Sequence, residues 1–258
     1  LCPSGLGTQR CVPNEIFSVF RPLIGCMPRN ARCVAPGIAY HVTQRGTNGQ
    51  RVFFSDSDRN SYLRLLAANR EDAGARILAW CLMSNHIHMI VVPEHTDSLA
   101  TLLRRVHGRY AQLINARKNR SGHLWQSRYF SCPMASSHLR RALAYVENNP
   151  VRAGMVERPE DYAWSSAAVH IGKARDKLRI LDAEFWQEFG GAEAWRQLLM
   201  TPEELAELRL LRRCTYSGMP FGNEEFVTAM EERFGRKWRR PPLQEAGRSS
   251  PPRIAAAS

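Results

Sequence analysis

His86 and His88 stand either side of one isoleucine in Met83-Ser84-Asn85-His86-Ile87-His88-Met89-Ile90-Val91-Val92, at the head of an apolar run. In a strand, residues i and i+2 point to the same face, so the two imidazoles lie side by side while Ile87, Met89 and Val91 fill the other face. Adjacent imidazoles on a rigid strand make half of a metal site; the competing reading is an amphipathic strand with two polar residues toward solvent. A second reactive side chain is Tyr145. At roughly 100° per residue, the segment from Ser137 to Asn149 has Leu139, Ala142, Leu143 and Val146 as its core stripe, and Tyr145 falls about 120° from the stripe's centre. It rides a polar flank beside His138 and Asn149 and near Arg141. Position alone leaves it open between a functional phenol and a half-buried structural one. The other tyrosines (40, 62, 110, 129, 162 and 216) mostly fall in core-like patterns. A phenol is a competent nucleophile toward phosphorus when a metal polarises the scissile phosphate. The product, a phosphotyrosine, conserves the bond energy, so strands can be rejoined without ATP.

The elements that must hold these groups follow from periodicity. Residues 37–45 alternate apolar and polar and read as a first strand. Ser55-Asp56-Ser57-Asp58 caps a helix running to about Ala73. Residues 75–83 form a second strand, Ser84-Asn85 a tight turn, and 86–92 the returning third. Residues 98–119 form an amphipathic helix with Leu99, Leu102, Leu103, Val106, Tyr110, Leu113 and Ile114 on one stripe. Arg104, Arg105 and Arg109 fall on its far side, where a solvated charged face competes with a binding role. Residues 125–134 carry a fourth strand, and Ser137–Asn149 a helix closed by Pro150. The order β-α-β-β-α-β predicts an α+β, ferredoxin-like domain: a four-stranded sheet with two helices on one face and the other face free to hold a site. Residues 181–199, 201–213 and 224–234 read as further helices, a helical C-terminal extension.

The chain has 258 residues, and 36 Lys+Arg against 24 Asp+Glu give a net charge of +12. That balance suits a polyanionic partner, most simply nucleic acid. An anionic membrane surface would want a basic amphipathic helix or a lipidation signal, and neither is present. The seven cysteines, at 2, 11, 26, 33, 81, 132 and 214, are odd in number and lack C-x-x-C spacing. A reducing compartment is expected, with Cys81 and Cys132 as small core residues. No stretch approaches the ~18 apolar residues of a membrane span, so the expectation is a cytoplasmic protein. Residues 1–26 lack periodicity and read as a disordered extension upstream of a start at Met27. Residues 27–170 then form the principal domain, 171–238 the helical region and 239–258 a basic, Pro-rich tail.

Met-Ser-Asn-His-Ile-His-Met-Ile-Val (83–91) resembles the HUH signature of the IS200-like single-strand transposases. Ala-Tyr-Val-Glu-Asn-Asn-Pro-Val-Arg-Ala-Gly (144–154) is similar to the tyrosine helix of their REP-associated branch. Tyr40-His41-Val42-Thr43-Gln44-Arg45-Gly46 and Leu124-Trp125-Gln126-Ser127-Arg128-Tyr129-Phe130 also match, in the right order. The resemblance, over about residues 27–167, implies that His86 and His88 bind a divalent metal, Mg²⁺ or Mn²⁺. It implies that Tyr145 is the nucleophile, forming a 5′-phosphotyrosine and freeing a 3′-OH. Asn149 stands where the family's helix offers the metal a polar side chain, a position where many relatives have Gln. The implied substrate is single-stranded DNA in imperfect hairpins, often repeated palindromes. Arg104, Arg105, Arg109, Arg128, Arg140, Arg141 and Arg152 are the candidate DNA contacts, with the basic tail from Arg236 as a further candidate. A monomer with tyrosine and histidines in one chain is preferred to a dimer.

Two other classes stay in view. One is a single-strand nucleic-acid-binding protein on the same fold without chemistry, such as a domesticated transposase. The other is a metal-activated-water hydrolase with Tyr145 as bystander.

Overall fold

Alternation along the first strand, β1 (Tyr40–Arg45), sends Tyr40 and Val42 into a core on one face of the sheet and turns His41, Thr43 and Arg45 to the other. The structure is a computed structural model and describes residues 32–238. The expected extension, the Met27 start and the 239–258 tail lie outside the described residues.

Helix α1 (Asp56–Arg70) opens on the capping box expected from the serine–aspartate cluster. The Ser55 hydroxyl accepts from Asp58 N–H, and the Asp58 carboxylate accepts from Ser55 N–H at 3.0 Å, which satisfies orphan donors of the first turn. Strands β2 (Ala75–Leu82) and β3 (His86–Pro93), helix α2 (Ser98–Arg117) and strand β4 (Phe130–Pro133) complete the βαββαβ order. The sheet runs β2-β3-β1-β4, antiparallel throughout. The fold is α+β, as the periodicity predicts. The fourth strand is shorter than its extended segment because Trp125 leaves the ladder after one bridge to Gly46 and stacks on His107 instead, 4.4 Å between centroids.

Helices α1 and α2 cover one face, where Phe53, Tyr62, Leu66, Ile87, Met89, Leu102 and Tyr110 are essentially fully buried. Each such side chain contributes about 1.5–3 kcal/mol by leaving water. The second face, expected to stand free, is covered. Helix α3 (Ser136–Glu147) crosses β2 and β3, and every residue from Ala142 to Glu147 is buried. Helix α4 (Asn149–Arg152) follows directly, with Pro150 in its first turn, where a missing N–H costs nothing. Helices α5 (Ala167–His170), α6 (Ala183–Glu188), α7 (Gly191–Met200), α8 (Leu205–Ser217) and α9 (Glu224–Phe234) belong to the same compact unit. Residues 181–199 are thus two helices, not one. Gly190 (φ 102°) and Gly191 (φ 69°) take left-handed conformations that break the run.

A buried carboxylate docks this second layer. Glu147 Oε1 accepts from Ser166 Oγ and from His170 Nδ1 (2.6 Å), while Oε2 accepts from Trp195 Nε1 (2.8 Å). Three donors, two from the ends of α5 and one from α7, thereby fix the last turn of α3, two residues beyond Tyr145. Backbone bonds engage both sheet edges: Leu82 N–H to Trp164 O and Asp182 N–H to Ile77 O on β2, and Phe221 N–H to Pro133 O beside β4. Among the described residues no helix is long and apolar enough to cross a membrane.

Candidate active site

The register places the chemistry. Thr43 faces His88 and Arg45 faces His86 across β1 and β3, while His41 lies opposite Ile90 and so diagonal to His88. Tyr145 and Asn149 come down from α3 and α4, and Arg212, Thr215 and Tyr216 come from α8. Together these side chains and Asn85 line one pocket of about 420 Å³ on the second face of the sheet.

His86 and His88 share that face, as the strand period requires, with centroids 4.9 Å apart and rings nearly perpendicular. The Nδ1 atom of each is spent. His86 Nδ1 donates to Asn85 Oδ1 at 2.6 Å, and the Asn85 amide is oriented by its own Nδ2 donating to Gly49 O. His88 Nδ1 meets His41 Nε2 at 2.9 Å, and His41 Nδ1 meets Thr215 Oγ1 at 2.7 Å. Burial, then the Arg45 and Arg212 charges, push His86 down to about 4; burial and the Arg152 charge push His41 down to about 3. Burial first, then its two histidine neighbours and Arg152 and Arg212, holds His88 well below the usual histidine range. All three rings are therefore neutral at pH 7.

Tyr145 is buried, 3% exposed, not half-exposed on a polar flank. Its ring meets the edges of His41 and His88 at 5.4 and 5.6 Å, and the Arg152 guanidinium lies 4.2 Å from its centroid. The phenol oxygen accepts from Arg212 Nε at 3.1 Å, and that bond raises the pKa of Arg212. Asn149, which lines the pocket, donates through Nδ2 to the carbonyls of Tyr145 (3.0 Å) and Val146 (3.2 Å), which leaves Oδ1 as its side-chain acceptor. The donors available to a divalent cation are thus His86 Nε2, His88 Nε2 and Asn149 Oδ1. His41 is no third ligand, because its Nε2 is taken. Among the described residues no group of three or more His, Cys, Asp and Glu forms a metal cage. A cation here would complete its shell with water and substrate oxygens, and two imidazoles favour Mn²⁺ over Mg²⁺.

The arginines read from the sequence divide. Arg104, Arg105 and Arg109 are exposed on α2, whose buried stripe packs on the sheet face opposite the pocket. Arg105 pairs there with Asp72 at 3.6 Å, and Arg109 lines a shallow groove with Arg64 and Arg117. Arg128 is exposed in the segment before β4, and Arg140 lies over the Phe189 ring at 4.3 Å. Arg141 pairs with Glu207, and Arg152 chelates Glu203 at 2.6 and 2.8 Å while also donating to Tyr145 O. The pocket instead takes Arg45 and Arg212. Arg212 and Thr215 carry no sequence signal of their own, whereas His41 and Arg45 fall in the Tyr40–Gly46 stretch of the resemblance and share one face of β1 by alternation. Tyr216, core-like by pattern, is 55% exposed and lines the pocket.

In sequence, residues 35–149 match the family described as Transposase IS200 like. That match takes in 115 of the 258 residues, among them His86, His88, Tyr145 and Asn149. A Haemophilus influenzae protein that bears the name of a REP-associated tyrosine transposase is 27% identical over 100 residues, 34% of this chain and 57% of that relative. The chain thus spans little more than half the length of that curated relative. A solved structure of a REP-associated tyrosine transposase bound to a REP hairpin superposes with a TM-score of 0.50 at 18% identity. That superposition covers 60% of this chain and 94% of the other, and it shows a shared fold.

Proposed function

We propose that the protein cleaves and rejoins single-stranded hairpin DNA through a 5′-phosphotyrosine on Tyr145. The observation that carries this reading is the convergence of Tyr145, His86, His88 and Asn149 on one pocket within one chain. Tyr145 Oη attacks the scissile phosphorus, its proton passes to solvent, and the bond to the 3′ oxygen breaks to leave a 3′-OH. Attack by a 3′-OH on the phosphotyrosine reverses the bonds and reseals a strand. Arg212, already donating to the phenol oxygen, orients it and offsets the charge that develops there and on the phosphodiester. Arg152 packs against the ring and ties the Tyr145 carbonyl to Glu203, so the nucleophile is held on both sides. A divalent cation, Mg²⁺ or Mn²⁺, held by His86, His88 and Asn149 would supply Lewis-acid polarisation of the phosphate.

The hairpin substrate is supported by the net charge of +12 and by the REP hairpin bound to the structural neighbour. Arg45 and Arg212, which line the pocket, would be the cations that meet its backbone. Tyrosine and histidines of one chain are within ring contact, which supports a site complete in a monomer.

The test incubates a labelled single-stranded hairpin with the protein and Mn²⁺ and reads a denaturing gel. A covalent protein–DNA band lost in Tyr145→Phe is expected. Cleavage without adduct that survives Tyr145→Phe would mean metal hydrolysis, and binding without any cleavage would mean a binding module.

A further inference from the structure

Each short contact on the line from α8 to β3 holds one proton, and the donors present allow one arrangement. Thr215 Oγ1 lies 2.7 Å from the Leu211 carbonyl and 2.7 Å from His41 Nδ1. A carbonyl has no proton to give, so the hydroxyl hydrogen occupies the Leu211 contact and His41 Nδ1–H must supply the other. The weak thiol of Cys132, 3.3 Å from the same oxygen, points to it as a donor and does not change this count. His41 is 1% exposed and no carboxylate lines its pocket, so nothing there supports a charged ring; its Nε2 is bare, and the 2.9 Å contact to His88 Nδ1 is closed by a proton on His88. The rings are near-parallel (7°) with centroids 5.1 Å apart, a separation that an N–H···N bond of 2.9 Å between side-by-side imidazoles permits.

We propose that Thr215, acting through His41, is a positioning residue that holds His88 in its Nδ1–H tautomer, so that Nε2 presents a lone pair to the cation site. The tautomer follows from contacts within the chain; its consequence for cation binding rests on the function proposed above. His86 obtains the same tautomer locally, from Asn85 in its own turn. His88 obtains it from α8, whose Thr215 is 174 residues from His41 and outside residues 35–149 that match the transposase family. The C-terminal helices would then be part of the active site and not an appendage to it. An outer hydrogen bond of this kind typically changes metal affinity 10- to 100-fold, because it decides which nitrogen is available and how the ring is aimed.

The experiment uses the full chain, metal-free, with ¹⁵N-labelled histidine. Long-range ¹H–¹⁵N spectra report directly which ring nitrogen is protonated. The expected wild-type result is Nδ1–H at His41, His86 and His88. In Thr215→Val, an isosteric change, His41 Nδ1–H loses its acceptor. Moving that proton to Nε2 restores a bond to His88 only if His88 carries its own proton on Nε2. The spectrum should show that switch at His88 and none at His86. Calorimetric titration with Mn²⁺ alone should show affinity about 10- to 100-fold weaker than wild type, with Thr215→Ser restoring both readouts. Nε2–H at His88 in the wild type would overturn the proposal, as would Thr215→Val leaving both spectrum and Mn²⁺ affinity unchanged. If Thr215→Val does not fold, the wild-type spectrum and Thr215→Ser decide the matter. The expected tautomers without any Mn²⁺ binding would support the positioning role and sink the metal reading of the site.

Discussion

The two faces of the sheet are built from the same strands by opposite rules. Under α1 and α2, Phe53, Tyr62, Tyr110 and Trp125 pack ring to ring, and a buried polar side chain among them, His107, is satisfied by the Tyr62 hydroxyl at 2.9 Å. Under α3 and α8 the same depth of burial holds His41, Thr43, His88, Glu147, Asn149, Ser166, His170 and Thr215. Polar groups out of water add little net stability even when every bond is made. A layer so rich in them is explained by what it positions. One face supplies stiffness, the other spends some of it to hold a tyrosine, two imidazoles and an arginine in fixed relation.

That contrast can be broken, most sharply at the nucleophile. Tyr145→Phe should lower adduct formation by at least about 10⁴-fold while the urea unfolding midpoint stays near that of wild type. Loss of fold along with activity would make Tyr145 a structural residue. On the other face, Phe53→Ala should cost about 3–5 kcal/mol in urea denaturation and leave adduct formation per folded molecule unchanged. A tenfold drop in that rate at full folding would show that the faces are not separable.

Smaller changes sharpen the comparison. Arg212→Gln keeps a donor of similar reach but no charge, and should slow adduct formation about 10- to 100-fold with little change in stability. An unaltered rate would assign the Arg212–Tyr145 bond to packing alone. The last comparison is in pH. Burial pushes His107 down to about 3 from the ordinary 6.5, so between those values the unfolded chain binds more protons than the folded one. Stability is full above pH 6.5 and falls as pH drops toward 3, by up to about 1.4 kcal/mol per pH unit from this group. Lowered His41 and His86 act in the same direction over much the same window. Urea midpoints of the metal-free protein at successive pH values should decline through this range, and a flat profile would mean that these rings are already protonated or exposed.

Much of this was open to reading residue by residue. The β1 and β3 alternations, the capping box at Ser55 and the breaks between elements are local, since they depend on side-chain period and backbone preference within a few residues. The sequence by itself therefore determined the βαββαβ order, the shared face of His86 and His88 and the helix that carries Tyr145, while Asn149, expected on that same helix, opens α4 instead. It could not determine how deep Tyr145 sits, because α3 is flanked by polar residues and is buried by helices that come later in the chain. Nor could it show that Arg152 is bound to Glu203, that the α2 arginines lie behind the sheet, or that Arg212 and Thr215 reach the pocket. Those contacts link positions tens to more than a hundred residues apart. They depend on strand register and on where α8 docks against β1 and β4, and only packing of the whole chain sets either.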